Sequence, residues 1–176
     1  LPELSDERLE DASETITEKV MGLVAHAQKA RRIEDAMENA QDGSKDIDVV
    51  ATVDSLVSEY GDEYPDVTVE ATVPDEQYVS AISSLHYAVE NIVENAFEHN
   101  TSENPHVSVA VERVGEQVEV VITDNGPGIP DHEYKVLEQD EETSLEHGSG
   151  IGLWLAYWVV IKSDGELDFE KPEAGG

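Results

Sequence analysis

Apolar positions along the chain follow two rhythms. Through residues 5–40 they recur every three or four places, at Leu9, Ala12, Ile16, Val20, Leu23, Ala27 and Ala30. This heptad-like spacing predicts one long helix with a narrow apolar stripe. Ser5 is placed to cap its start, with Asp6 and Glu7 in the first turn, where the helix dipole favours anions. Asp42-Gly43-Ser44 is suited to end it. A narrow stripe with charged flanks asks for a partner helix, in a hairpin or a dimer seam, or for packing against its own domain.

From Asp46 onward the pattern changes. Residues 47–60 read as a short strand followed by a helix, with Val50, Val53, Val57 and Tyr60 on one face. Val67, Val69, Ala71 and Val73 alternate as a strand that Pro74 stops. Residues 78–99 predict a second strong helix with Ile82, Leu85, Val89, Ile92, Val93 and Ala96 inward. Two more alternating runs, Val107-Val109-Val111 and Val118-Val120-Ile122, flank a Gly115-Glu116 hairpin turn. A Gly-rich loop, a polar stretch to His147, a second Gly-rich loop and an apolar helix follow. A last strand is expected over residues 166–170. Helices mixed with antiparallel strands in this way predict an α+β two-layer sandwich, with helices on one face of a sheet.

Composition narrows the function classes. Forty-one acidic residues stand against ten basic ones, for a net charge of -31. Such a surface repels nucleic acid and anionic membranes, so neither is an expected partner. The acidity is spread along the chain over an intact aliphatic pattern, which points to a halophile protein that keeps its hydration in molar salt. With no cysteine, a disulfide framework and a thiolate zinc site are excluded. No apolar run nears the roughly 18 residues that span a bilayer, and the expectation is a cytoplasmic domain or the cytoplasmic part of a larger protein.

Three segments carry candidate chemistry. In Glu90-Asn91-Ile92-Val93-Glu94-Asn95-Ala96, the two asparagines lie four apart and share a helix face. A carboxamide oxygen is a hard ligand suited to Mg²⁺, although from the residues alone a surface or capping pair is the stronger reading. In Thr123-Asp124-Asn125-Gly126-Pro127-Gly128, a strand delivers Asp124 into a tight turn. A carboxylate there can accept from an exocyclic amine, and the same residues are ordinary turn chemistry. In His147-Gly148-Ser149-Gly150-Ile151-Gly152-Leu153, alternate glycines open an apolar helix and leave backbone N–H groups for phosphate. No Gly-Lys-Ser/Thr follows, so this is not a P-loop.

Taken in order and spacing, the three resemble the N, G1 and G2 boxes of the ATP-binding superfamily shared by gyrase, histidine kinases and mismatch-repair ATPases. The likeness runs from about Asp48 to Gly176. Its wording, "NIVENAFEHN", "VITDNGPGIP" and "HGSGIGLWLAYWVV", looks most like sensor histidine kinases of haloarchaea. The resemblance implies ATP and Mg²⁺ as cofactors. It implies that Asn95 holds the metal and that Asn91 faces the triphosphate. Asp124 would read the adenine amino group in a pocket shaped by Gly126 and Gly128. Gly148, Gly150 and Gly152, with Ser149, Ile151 and Leu153 in the same stretch, would cradle the phosphates. Residues 131–147 would form an ATP lid in which Lys135 approaches the γ-phosphate.

Asn91 also separates subfamilies by resemblance. Gyrase-like members carry a glutamate there that activates water, and asparagine cannot take that proton. Glu90 is one residue off and points about 100° away on the helix. Phosphoryl transfer to a protein histidine is therefore expected, with a non-catalytic nucleotide-binding signalling module and a gyrase-type hydrolase as the alternatives. One departure is Glu98-His99, where the family often has a base. Another is at the front. Residues 1–45 look like the second helix of a dimerisation hairpin, and residues 46–176 like the catalytic domain. His26 lacks an acceptor motif. The phosphoacceptor histidine is expected on an upstream helix of a longer, homodimeric sensor kinase, with a response regulator receiver domain as the next partner.

Overall fold

The computed structural model describes residues 3–130 and 150–170. Helix α1 spans Glu3–Asn39. The expected N-cap Ser5 lies inside the helix, two residues past its start. The end is as expected. Asp42 N donates to Asn39 O at 3.2 Å, and Gly43 takes φ 78°, a left-handed value that glycine adopts without a Cβ penalty. The chain divides inside α1 into two compact units, Leu1–Glu34 and Asp35–Gly176. In the first, Ile16, Val20 and Leu23 of the stripe are exposed, as are Met21 and Val24.

The second unit continues with β1 (Lys45–Asp48), α2 (Val49–Glu63), β2 (Thr68–Thr72), β3 (Tyr78–Ala81), α3 (Leu85–Glu98), β4 (His106–Val114), β5 (Gln117–Asp124) and α4 (Ile151–Lys162). Asp48 both ends β1 and caps α2. Its Oδ1 accepts from Val50 N at 3.1 Å and Ala51 N at 3.3 Å, two of the donors a helix start leaves unpaired. Two small sheets form. β1 and β3 pair antiparallel, and a second sheet has the order β2-β4-β5, with β2 parallel and β5 antiparallel to β4.

Two expected elements differ. The helix predicted over residues 78–99 begins only at Leu85. Residues 78–81 instead pair with β1, Tyr78 opposite Asp48 and Ala81 opposite Lys45. That partner lies thirty residues away, so no local periodicity reports it. The strand expected over residues 166–170 joins neither sheet. Leu167 and Phe169 are half-buried between exposed acids. Such alternation records which side is covered, not backbone pairing.

Helices α2 and α3 cover one face of the three-stranded sheet. Val49, Val50, Val53 and Tyr60 from α2 meet Val89, Val93, Ala96 and Phe97 from α3 over Val107, Val109 and Val111 of β4. Val53, Val93 and Val107 are fully buried. Each such valine contributes about 1.5 kcal/mol or more, so a lean composition still supports a core. Tyr60, Tyr64 and Phe97 pack as an aromatic cluster with ring centroids 5.7 to 6.3 Å apart. Among the described residues, no helix is long and apolar enough to cross a membrane. The architecture is the expected α+β layering of helices on a sheet, preceded by a long helix, except that β2 runs parallel to β4 where antiparallel strands were expected.

Candidate functional site

Asp124 closes β5 and enters the turn. Its Oδ1 accepts from Gly126 N at 2.7 Å. Its second oxygen takes no hydrogen bond among the described residues and is left as an acceptor. A Cβ on Gly126 would lie 2.8 Å from Asp124 Oδ1 and 3.2 Å from Asn100 Cα, so only glycine fits between the carboxylate and the chain leaving α3. Gly128 has φ 76° and open space around it. Its role is conformational and not steric.

The polar groups around this turn form a network that sequence reasoning missed. Asn125 Oδ1 accepts from His106 N at 2.8 Å and from Asn100 Nδ2 at 3.1 Å. Asn125 Nδ2 donates to Asn104 O at 2.9 Å. Asn125 N donates to His106 O, and Ser102 Oγ donates to Asn125 O. The Asn-Gly pair signals a turn, but no local signal joins it to residues 100–106.

The second part of the site is the seam between α3 and α4. Asn91 is only 3% exposed. Its Nδ2 donates to Tyr87 O at 2.6 Å, one turn back. Its oxygen faces Gly152, where an added Cβ would approach Oδ1 to 2.5 Å. The first and third predicted motifs thus meet at one contact. Asn95 lies a turn further along the same face and is half-buried. At the start of α4, Gly150 is left-handed at φ 85° and has no side chain to cap the helix. The first intrahelical bond is Trp154 N to Gly150 O, so the N–H groups of Ile151, Gly152 and Leu153 have no partner within the helix. Leu153 is buried in the core.

Tyr87 also links this seam to the end of α1. Its hydroxyl donates to Asp35 Oδ2 at 3.2 Å, and Asn39 Nδ2 donates to the fully buried Ser84 Oγ at 2.8 Å. Glu98, at the place where the family often has a basic residue, is exposed. The Tyr64 phenol is held above its ordinary 10.0 by burial first, then by the charges of Glu63, Glu98 and Glu94. Lys135, Gly148, Ser149 and the expected lid over residues 131–147 lie outside the described residues. The structure therefore brings Asn91 to Gly152 and Asp124 to Gly126, and joins the β5 turn to the end of α3 through Asn100.

Residues 80–176 match the family described as histidine kinase-, DNA gyrase B-, and HSP90-like ATPase. The chain belongs to this family. It is an ATP-binding catalytic domain of the sensor histidine kinase type. Among solved structures, the mycobacterial sensor histidine kinase MprB superposes with a TM-score of 0.60 at 31% identity, covering 74% of this chain and 89% of that one. Sporulation kinase B of Bacillus subtilis is 29% identical over 122 residues, 69% of this chain and 28% of that protein. Sensor-type histidine kinase PrrB of Mycobacterium tuberculosis is 30% identical over 135 residues, 74% of this chain and 30% of that protein. The chain thus spans under a third of these two relatives' length. All three are bacterial, and they lend no support to a haloarchaeal origin. In the structure Asn91 and Asn95 lie on α3, Gly152 abuts Asn91, and the turn after Asp124 abuts Asn100 just beyond α3.

Proposed function

We propose that this domain holds ATP with Mg²⁺ and passes the γ-phosphoryl group to a histidine on an upstream helix, from which an aspartate of a response regulator receives it. The observation that carries the reading is the buried carboxamide of Asn91 against Gly152, 3% exposed and bonded to Tyr87 O. Asparagine at that position cannot take a proton from water, so it does not serve there as the base of hydrolysis.

The residues fit the ligands. The second oxygen of Asp124 suits the adenine amine. The uncapped N–H groups of α4 suit phosphate oxygens. Asn95 offers a hard oxygen for Mg²⁺, which when bound supplies neutralising charge along the triphosphate. Gly126 and Gly128 shape the purine turn, while Gly148, Ser149 and Lys135 would complete the phosphate side and lid. The remaining work is positioning, as is usual in phosphoryl transfer. Residues 1–45 serve as the second helix of a dimerisation hairpin and residues 46–176 as the catalytic domain. The exposed Ile16, Val20 and Leu23 stripe suits a homodimer seam. A cytoplasmic setting follows from the need for ATP.

The test is transfer of labelled phosphate from ATP onto a supplied dimerisation helix carrying the acceptor histidine. Acid-labile label on that histidine is the expected result. ATP binding with no transfer supports a non-catalytic nucleotide module instead, and rapid steady-state ATP hydrolysis supports the gyrase-type alternative.

A further inference from the structure

The hydrogen bonds around the β5 turn are concentrated on one exposed residue. Asn125 uses its backbone N–H, its backbone carbonyl and both ends of its carboxamide. Its partners are Asn100, Ser102, Asn104 and His106, all in the segment that leaves α3 and enters β4. Asn100 closes the network from the other side. Its Nδ2 also reaches His106 O at 3.3 Å, and its Oδ1 accepts from Ser102 N at 3.3 Å. Gly126, the next residue, sits against Asn100 Cα and leaves no room for a Cβ.

Asp124 is the residue immediately before this fixed point. One of its oxygens is spent on Gly126 N, so the direction of the other is set by the backbone of residues 124–126. That backbone is braced through Asn125. We propose that Asn125, seconded by Asn100, is a positioning residue that sets purine selectivity by aiming the outward oxygen of Asp124. The proposal rests on the reading of Asp124 as the adenine-amine acceptor. A carboxylate held in one direction favours a 6-amino group and opposes a 6-oxo group. A carboxylate free to turn does neither well, because selectivity from a hydrogen bond requires that the wrong partner be left unpaired or repelled.

The experiment measures affinities of the 176-residue chain for ATP and for ITP, which carries a 6-oxo group in place of the amine, with Mg²⁺ present. It compares the parent, Asn125→Ala and Asn100→Ala, with a thermal melt of each. In Asn125→Ala the ATP-over-ITP ratio is expected to fall about tenfold, the size of one directed hydrogen bond. ATP affinity should carry the loss, while ITP affinity moves by less than about twofold. Asn100→Ala removes part of the brace and should lower the same ratio by a smaller factor. Should Asn125→Ala fail to fold, Asn100→Ala and Asn125→Ser carry the test. An unchanged ratio, or equal losses for both nucleotides, overturns the positioning role. A parent protein that binds ATP and ITP alike overturns the Asp124 reading itself, and the proposal with it.

Discussion

The turn after β5 and the seam between α3 and α4 both hold a polar side chain in place, by opposite means. At the turn, Asp124 and Asn125 are exposed, and order comes from hydrogen bonds to a neighbouring loop. At the seam, Asn91 is buried, makes one short bond to its own helix, and is confined by the backbone of another helix at Gly152. Exposed hydrogen bonds compete with water and are individually worth about 1 kcal/mol, so several are needed. Close packing needs only one glycine, but it tolerates no added atom. The group proposed to read the purine is thus ordered at the surface, whereas the one proposed to lie beside the phosphates is set by steric confinement.

The largest expected loss of stability in this comparison comes from Gly152→Ala. The added methyl enters the space of Asn91 Oδ1, which is pinned through Nδ2 and has little freedom to withdraw. Stability should drop by about 1–3 kcal/mol, as for overpacking, and ATP affinity should fall about tenfold or more as the carboxamide is displaced. Chemical denaturation reads the first and calorimetric titration the second. Combining Gly152→Ala with Asn91→Ala removes the obstructing oxygen. The double variant should recover stability relative to Gly152→Ala alone, and additive losses would refute the steric account.

Asn95→Ala sharpens the comparison at lower cost. Asn95 shares the face of Asn91 but is only half-buried, so its loss should leave the fold intact. ATP affinity with Mg²⁺ should fall about tenfold, one charge-assisted contact, while affinity in EDTA stays within about twofold. Equal losses in both conditions would remove Asn95 from the metal site.

The same contrast explains what could be read from the residues. The α3 periodicity, the alternating strands β4 and β5, and the glycine-opened α4 are local patterns, and the layered fold followed from them. The start of α3 was misplaced because Tyr78–Ala81 is committed to β1 by a distant partner. Ser5 was misplaced because a capping residue can also sit within a first turn. At the site, the motif residues were legible as types and spacing. That Gly152 is glycine because Asn91 abuts it could not be read, since two helices contribute to the contact. Asn125 was invisible for a related reason: its partners come from a loop whose polar composition has no register.

The claim on which the rest depends is that the Asp124 carboxylate grips the nucleotide. Calorimetric titration of ATP with Mg²⁺ into the parent and into Asp124→Ala tests it directly, with a thermal melt to confirm that both are folded. The account predicts binding by the parent and a loss of about a hundredfold in the variant, the worth of a hydrogen bond to a charged acceptor. A folded Asp124→Ala protein that binds ATP as tightly as the parent would contradict it.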